Sequence, residues 1–206
     1  MDQRNKPYFW VTWLAALMSG SDNCEWKFWL KGHYTKVPKI ERDFDNATFN
    51  ENHTAMLNET RDQFLARGSE VIVEKRWKIE GKSAIVAGSI DLITLNPNLI
   101  IDTKTGRQKT SHAAQVKIYL LAAELGAIPG VSGDFKGLVK YSSDEFLVEG
   151  VDGAFKERFF ALVRNLASDK ERTKVPSKWE CEFCDIKNCD SRFVEEEEKV
   201  FETAEF

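Results

Sequence analysis

Only three histidines and four cysteines are spread over the 206 residues. The apolar stretch from Tyr8 to Met18 is too short to cross a bilayer. It follows Arg4 and Lys6 and so faintly resembles the core of a signal peptide, but the bulky Phe9, Trp10 and Trp13 suit a packed helix better. The expectation is a cytoplasmic protein with no membrane partner. Internal repeats and low-complexity tracts are also missing. A chain of this length, 42% hydrophobic, can bury one substantial core and needs no second domain. The reading is one domain over 1–193 and an acidic tail over 194–206.

Excess positive charge is lacking too. The net charge of −4 at first argues against a nucleic-acid partner. The tail from Val194 holds six glutamates and one lysine, however, so the remaining residues carry about +1 and the acidity is local. The run Glu195 to Glu198 is most simply a solvated helix or frayed tail. Lys104, Arg107, Lys109 and Lys117 crowd one part of the sequence, and Lys27, Lys31, Lys36, Lys39 and Arg42 cluster after Cys24. Basic groups beside a cleft can hold phosphates without the whole protein being basic. For any single one of them, a solvated surface is the simpler role.

Against these absences stands Asp102-Thr103-Lys104, closing the apolar run Leu99-Ile100-Ile101. Alternate side chains of an extended segment share a face, so Asp102 and Lys104 project together while Thr103 points away and offers only backbone. Asp91 ends another strand-like stretch from Ala84, and Asn96-Pro97-Asn98 is a turn that folds it back on the Asp102 strand. Two carboxylates meeting across strands form a hard, oxygen-rich pocket suited to Mg²⁺ or Mn²⁺. An exposed ion pair on a surface hairpin would use the same residues. Downstream, a helix over 111–125 carries Gln115 and Tyr119, four apart and therefore on one face.

The cysteines form a second constellation. Cys181 and Cys184 are spaced to present two sulfurs to one centre, Cys189 follows, and Cys24 lies at the other end of the chain. Four thiols make one site's worth of ligands. Spacing does not separate a structural Zn²⁺ from an iron–sulfur cluster, and two disulfides would need a secretory context that the sequence does not offer.

Asp91, Asp102-Thr103-Lys104-Thr105-Gly106-Arg107 and Gln115-Val116-Lys117-Ile118-Tyr119 together resemble the RecB-like branch of the PD-(D/E)xK nuclease superfamily. In that branch a strand with Asp-x-Lys-Thr-Gly precedes a helix with Gln-x-x-x-Tyr. The resemblance asks for an upstream helical histidine, and His53 lies in 46–67, which has helical periodicity through Phe49, Met56, Leu57, Phe64 and Leu65. It implies that His53, Asp91, Asp102 and the Thr103 carbonyl hold Mg²⁺ or Mn²⁺, that Lys104 is catalytic, and that Gln115 and Tyr119 position the strand or the lysine. Arg107, Lys109 and Lys117 are then DNA-binding candidates. His33 and His112 fall outside the ligand pattern and read as surface or substrate-proximal groups.

One cysteine before the core and three after it is similar to the iron–sulfur RecB-like nucleases, which include the CRISPR-associated nucleases numbered fourth in the Cas series. That likeness implies a [4Fe–4S] cluster on Cys24, Cys181, Cys184 and Cys189, tying the two ends of the chain. The pattern departs from the group in Glu25, where a proline often follows the first cysteine, and in the tight spacing from Cys184 to Cys189. The implied activity is a metal-dependent DNA nuclease, an exonuclease on ends or single strands, that processes DNA in CRISPR adaptation alongside integrase proteins. A phage or free-standing repair exonuclease working with a recombinase or helicase would use the same residues. A non-cutting DNA-end-binding module is the alternative of another class, but it has no need to keep a repulsive carboxylate pair.

The implied fold is mixed α/β: a central mixed sheet flanked by helices, with a restriction-endonuclease-like core. The predicted path is two helices, a loop over 37–45 and the His53 helix. Strands over 71–79, 83–95 and 99–104 follow, then the Gln115 helix and a connector over 126–133. Strands over 135–141 and 145–148, a helix over 155–166 and an irregular segment over 176–189 complete it.

Overall fold

The computed structural model describes residues 1–41 and 45–195. Arg42 and residues 196–206, which hold most of the acidic run, lie outside the described residues.

The chain opens with β1 (Asp2–Gln3) and β2 (Tyr8–Trp10), then α1 (Val11–Met18), α2 (Glu25–His33) and β3 (Tyr34–Thr35). The expected first helix is therefore part strand. Tyr8–Trp10 runs parallel to a central strand before the chain turns helical at Val11. Long helix α3 (Asn46–Ala66) starts where the Asp45 carboxylate accepts the Thr48 N–H at 2.9 Å, an N-cap that offsets one orphan donor. It ends before Gly68, whose φ of +82° favours glycine.

Three strands come next: β4 (Glu70–Glu80), β5 (Ile85–Leu95) and β6 (Leu99–Lys104), the last two joined by the expected turn at Asn96–Asn98. Helix α4 (Thr110–Glu124) crosses to β7 (Lys136–Tyr141), parallel to β6, and β8 (Glu145–Val148) folds back antiparallel. Helix α5 (Gly153–Leu166) is capped by Asp152, which accepts the Phe155 N–H at 2.6 Å. The segment expected to be irregular contains one short helix, α6 (Lys178–Glu182), started by Ser177.

The sheet is mixed, as expected. Its order is β2-β5-β6-β7-β8, with β4 paired along the whole of β5. Since β4 occupies one edge of β5, strands β2 and β6 share the other: β2 pairs with Ile85–Ala87 and β6 with Leu92–Thr94. Residues 88–91 lie between them with no strand partner on that edge among the described residues. The main core joins α1, α2, α4 and α5 to the sheet, and a smaller cluster of Leu57, Phe64, Leu92, Ile101 and Leu138 seats α3 on the other face.

Candidate active site

The break in the β5 edge is where the polar residues collect. Backbone groups left without a ladder partner must find another, because an unpaired buried group costs as much as a lost hydrogen bond. Here side chains supply it. The Ser89 carbonyl accepts from Tyr119 Oη at 2.8 Å, and the Asp91 carboxylate accepts the Thr103 N–H at 2.7 Å. Asp91 and Asp102 would be the next pair after Leu92–Ile101 if the ladder continued, and the strands part there.

On the α4 side, Asp102 is 1% exposed. Its Oδ1 accepts from Gln115 Nε2 at 3.0 Å, and Gln115 also donates to Tyr119 Oη at 2.6 Å. Lys104 Nζ stands 2.7 Å from Asp102 Oδ2 and donates to Gln115 Oε1 at 3.3 Å. Asp102 Oδ2 nevertheless makes no directed hydrogen bond among the described residues, so the ammonium neutralises it without saturating its lone pairs. Burial pushes the Asp102 carboxyl up to about 7; Lys104 opposes the shift and the Asp91 charge adds to it. Burial also carries the Tyr119 hydroxyl well above its ordinary value, so it stays a neutral donor. A carboxylate this buried needs positive charge to stay ionised.

On the α3 side, Asp91 Oδ2 accepts from the Thr103 hydroxyl at 2.7 Å as well as from its N–H. His53 Nε2 lies 3.5 Å from that oxygen and 3.3 Å from Thr103 Oγ1. Burial raises the Asp91 carboxyl, but His53, Thr103 and Lys104 outweigh it and hold the group below the usual carboxylate range. The Asp91 hydrogen bond lifts His53 above its ordinary value against the pull of burial. The expectation for Thr103 needs correcting: its side chain does leave the Asp102 face, but it points at Asp91 and His53 and contributes a hydroxyl there. No spacing signal could have shown this, because the second face of β6 acquires meaning only once α3 packs on it.

Above these groups runs an open groove of about 540 Å³ lined by Phe49, Asn50, His53, Thr103, Lys104, Thr105, Gly106, Arg107, Lys109 and His112. Asp91 and Asp102 are not in this lining; they reach it through Thr103 and His53 and through Lys104. His112 Nδ1 is 2.5 Å from Tyr141 Oη, and burial together with Lys104 and Lys109 lowers its pKa to about 4, so the ring is neutral at pH 7. Lys117, expected near the groove, instead lies 5.8 Å over the Phe155 ring on α5. His33 is not a surface group: it is buried, its Nε2 donates to the Leu166 carbonyl at 2.9 Å, and it packs on Trp29. The lysines after Cys24 are taken up by carboxylates. Lys27 pairs with Asp22 and Glu180, Lys31 and Lys39 with Asp185, and Lys36 with Asp2.

The four cysteines come together. Cys24, Cys181, Cys184 and Cys189 all line one tight pocket of about 10 Å³, and no disulfide joins them. Lys174, Arg192 and Glu180 also line it, and Lys174 is paired with Asp190 and Glu171. Arg192 donates to the Cys181 and Cys184 carbonyls at 3.0 and 3.1 Å, and Cys181 Sγ accepts the Phe193 N–H at 3.3 Å. Burial raises the Cys24 thiol.

Among the described residues, no three His, Cys, Asp or Glu side chains are already arranged to hold a metal ion. The donor sets nevertheless fit. Asp102 Oδ2 has only the Lys104 ammonium against it, Asp91 and His53 stand 3.5 Å apart on the α3 side, and four soft sulfurs line one pocket.

A search of curated proteins finds no match. One solved structure, described as that of SSO0001, is similar in fold: it is 18% identical with a TM-score of 0.50, over 88% of this chain and 84% of that one. Residues 29–189 match the PD-(D/E)XK nuclease superfamily, which takes in α3, the broken sheet edge, α4 and three of the four cysteines; the chain belongs to that superfamily.

Proposed function

We propose that the protein is a metal-dependent DNA nuclease that acts on ends or single strands and carries a [4Fe–4S] cluster. The observation that supports this most is the pairing, at one gap in the sheet, of a buried Asp102–Lys104–Gln115 network with an Asp91–Thr103–His53 set, both reaching a groove edged by Arg107 and Lys109.

In this reading His53, Asp91, Asp102 and the Thr103 carbonyl hold Mg²⁺ or Mn²⁺. Such an ion lowers the pKa of water and offsets charge on a phosphate. Gln115, fixed by Tyr119 and Asp102, holds the Lys104 ammonium at the attacking side, where it orients the water and stabilises the charge building on the phosphodiester. Thr103 fixes the Asp91 carboxylate, and Arg107 and Lys109 hold the strand's phosphates. Cys24, Cys181, Cys184 and Cys189 hold the cluster, away from the reacting bond. Their one-before, three-after order supports a place in DNA-end processing for CRISPR adaptation.

The test is cleavage of end-labelled single- and double-stranded DNA with Mg²⁺, Mn²⁺ or EDTA, beside an absorption spectrum of anaerobically purified protein. Metal-dependent cutting abolished by Asp102→Ala supports the reading. Equal cutting by the wild type and that variant removes the proposed centre.

A further inference from the structure

A second hollow, of about 690 Å³, lies at the other end of the broken edge and shares only Ser89 with the groups above. Its size falls within the range of small-ligand pockets. Tyr8, Trp10, Arg76, Trp77 and Ser89 line it, with Glu74 on its rim. Ser89 ties it to the proposed centre: its carbonyl takes the Tyr119 hydroxyl, and it stands two residues, about 7 Å of strand, from Asp91.

The walls are built for a flat ring. Trp10 leaves 44% of its surface exposed and meets Tyr8 edge-on at 5.4 Å, and Tyr8 is itself held by the Arg4 guanidinium 5.6 Å over its ring. Trp77 faces the other way: it pairs with Gly88 while Trp10 pairs with Ala87, and its ring is buried edge-on to Tyr119 at 6.0 Å on the α4 side of the sheet.

Charge separates this hollow from the groove. Arg76 and Glu74 cancel here, whereas Lys104, Arg107 and Lys109 line the groove. A sugar–phosphate backbone is drawn to the groove, and an uncharged aromatic ring is suited to the hollow.

We infer that this hollow is a nucleobase subsite, which takes an unstacked base of single-stranded DNA next to the phosphate held at Asp91, Asp102 and Lys104. The inference rests on the nuclease reading for its substrate. The base stacks on Trp10, beside Tyr8 and Ser89. Such a base must already be unpaired, so the subsite selects frayed ends and single strands over intact duplex.

The test is binding of a fluorescently labelled oligo-dT in EDTA, followed by anisotropy, for the wild type, Trp10→Ala and Trp10→Phe. Stacking contributes about 1–3 kcal/mol per base, so Trp10→Ala should weaken binding about 5- to 150-fold while Trp10→Phe retains most of it. The slope of affinity against salt should not change, because no phosphate contact is lost. Trp10 is half exposed, and an unchanged melting temperature verifies the fold. Equal binding by wild type and Trp10→Ala overturns the subsite even if both proteins cut DNA. Trp10-dependent binding by a protein that never cuts with Mg²⁺ or Mn²⁺ retires the nuclease reading and leaves the subsite standing.

Discussion

Replacing Thr103 with valine keeps the volume of a fully buried side chain and removes one hydroxyl, so it isolates what that hydroxyl does for Asp91. The bond lost is 2.7 Å long and ends on a carboxylate; hydrogen bonds to charged groups contribute about 1.5–3 kcal/mol. Asp91 keeps the Thr103 N–H, which places the stability loss near the lower figure, a fall of about 3–6 °C in melting temperature for a chain of this size. The effect on function should be larger. Partners that orient a metal ligand typically change affinity or activity 10- to 100-fold when removed, so the metal concentration for half-maximal cutting should rise by about that factor. Cutting at saturating Mn²⁺ should stay within a few fold of wild type. Thr103→Ser, which retains the hydroxyl, should recover most of the loss. The sign of the pH effect follows from Asp91 being held below the usual carboxylate range: its ionised form stabilises the fold above that range and the contribution fades on acidification. Losing a donor to the ionised form raises the pKa, so the fading begins at higher pH in Thr103→Val. A valine variant with wild-type metal half-saturation would refute the claim that the α3 face of β6 belongs to the centre.

Three further outcomes follow from the same geometry. Lys104→Met should abolish cutting without rescue by Mn²⁺, yet remain folded by circular dichroism, because an Asp102 that protonates needs no counter-charge; full activity would exclude Lys104 from the chemistry. His112 is neutral in the fold down to about pH 4, whereas an unfolded histidine gains a proton near 6.5, so stability should drop as pH falls between those values. His112→Gln should remove about 1–2 kcal/mol of that acid sensitivity after allowance for solvent screening, read from melting temperatures over pH 7 to 4, and parallel curves for the two proteins would contradict the assignment. Protein purified without oxygen should be brown, absorb broadly near 400 nm and hold about four irons, and Cys24→Ala should lose them; a colourless protein with one zinc would replace the cluster while sparing the nuclease.

What the sequence makes legible is whatever depends on neighbours a few residues apart. Asp102 and Lys104 share a strand face and Gln115 and Tyr119 a helix face, as spacing predicts; that the two pairs meet is what the family resemblance implied. The mixed sheet flanked by helices follows from the same local periods. Long-range pairing is what hides the rest. Tyr8–Trp10 looks helical because its apolar residues run on into α1, and only β5, some 75 residues later, makes it a strand. Lys27 and Lys31 look like a phosphate-binding patch until Glu180 and Asp185 arrive from the far end of the chain. Lys117 shares a helix with Gln115, but its turn of that helix faces α5.

The two chain ends matter to the centre through β2. Cys24 starts α2 beside the three distant cysteines, and Lys27, Asp22 and Glu180 tie the same ends with buried ion pairs. Helix α2 then packs on β2 so closely that a Cβ on Gly32 would collide with the Phe9 ring. Phe9 is fully buried between Tyr8 and Trp10, and β2 is one bank of the gap whose other bank is β6. A clamp at the cysteines therefore acts on the near bank of the gap. The far bank, with Asp102 and Lys104, has holds of its own in β7 and α4, although α1 continues from β2 and packs on α4. Loosening the clamp should disturb the Trp10 hollow before it disturbs the Asp102–Lys104 pair. Loss of a cysteine ligand should then impair the grip on a DNA strand sooner than the chemistry at its phosphate, and the surviving Lys27–Asp22–Glu180 pairs set how far β2 can move.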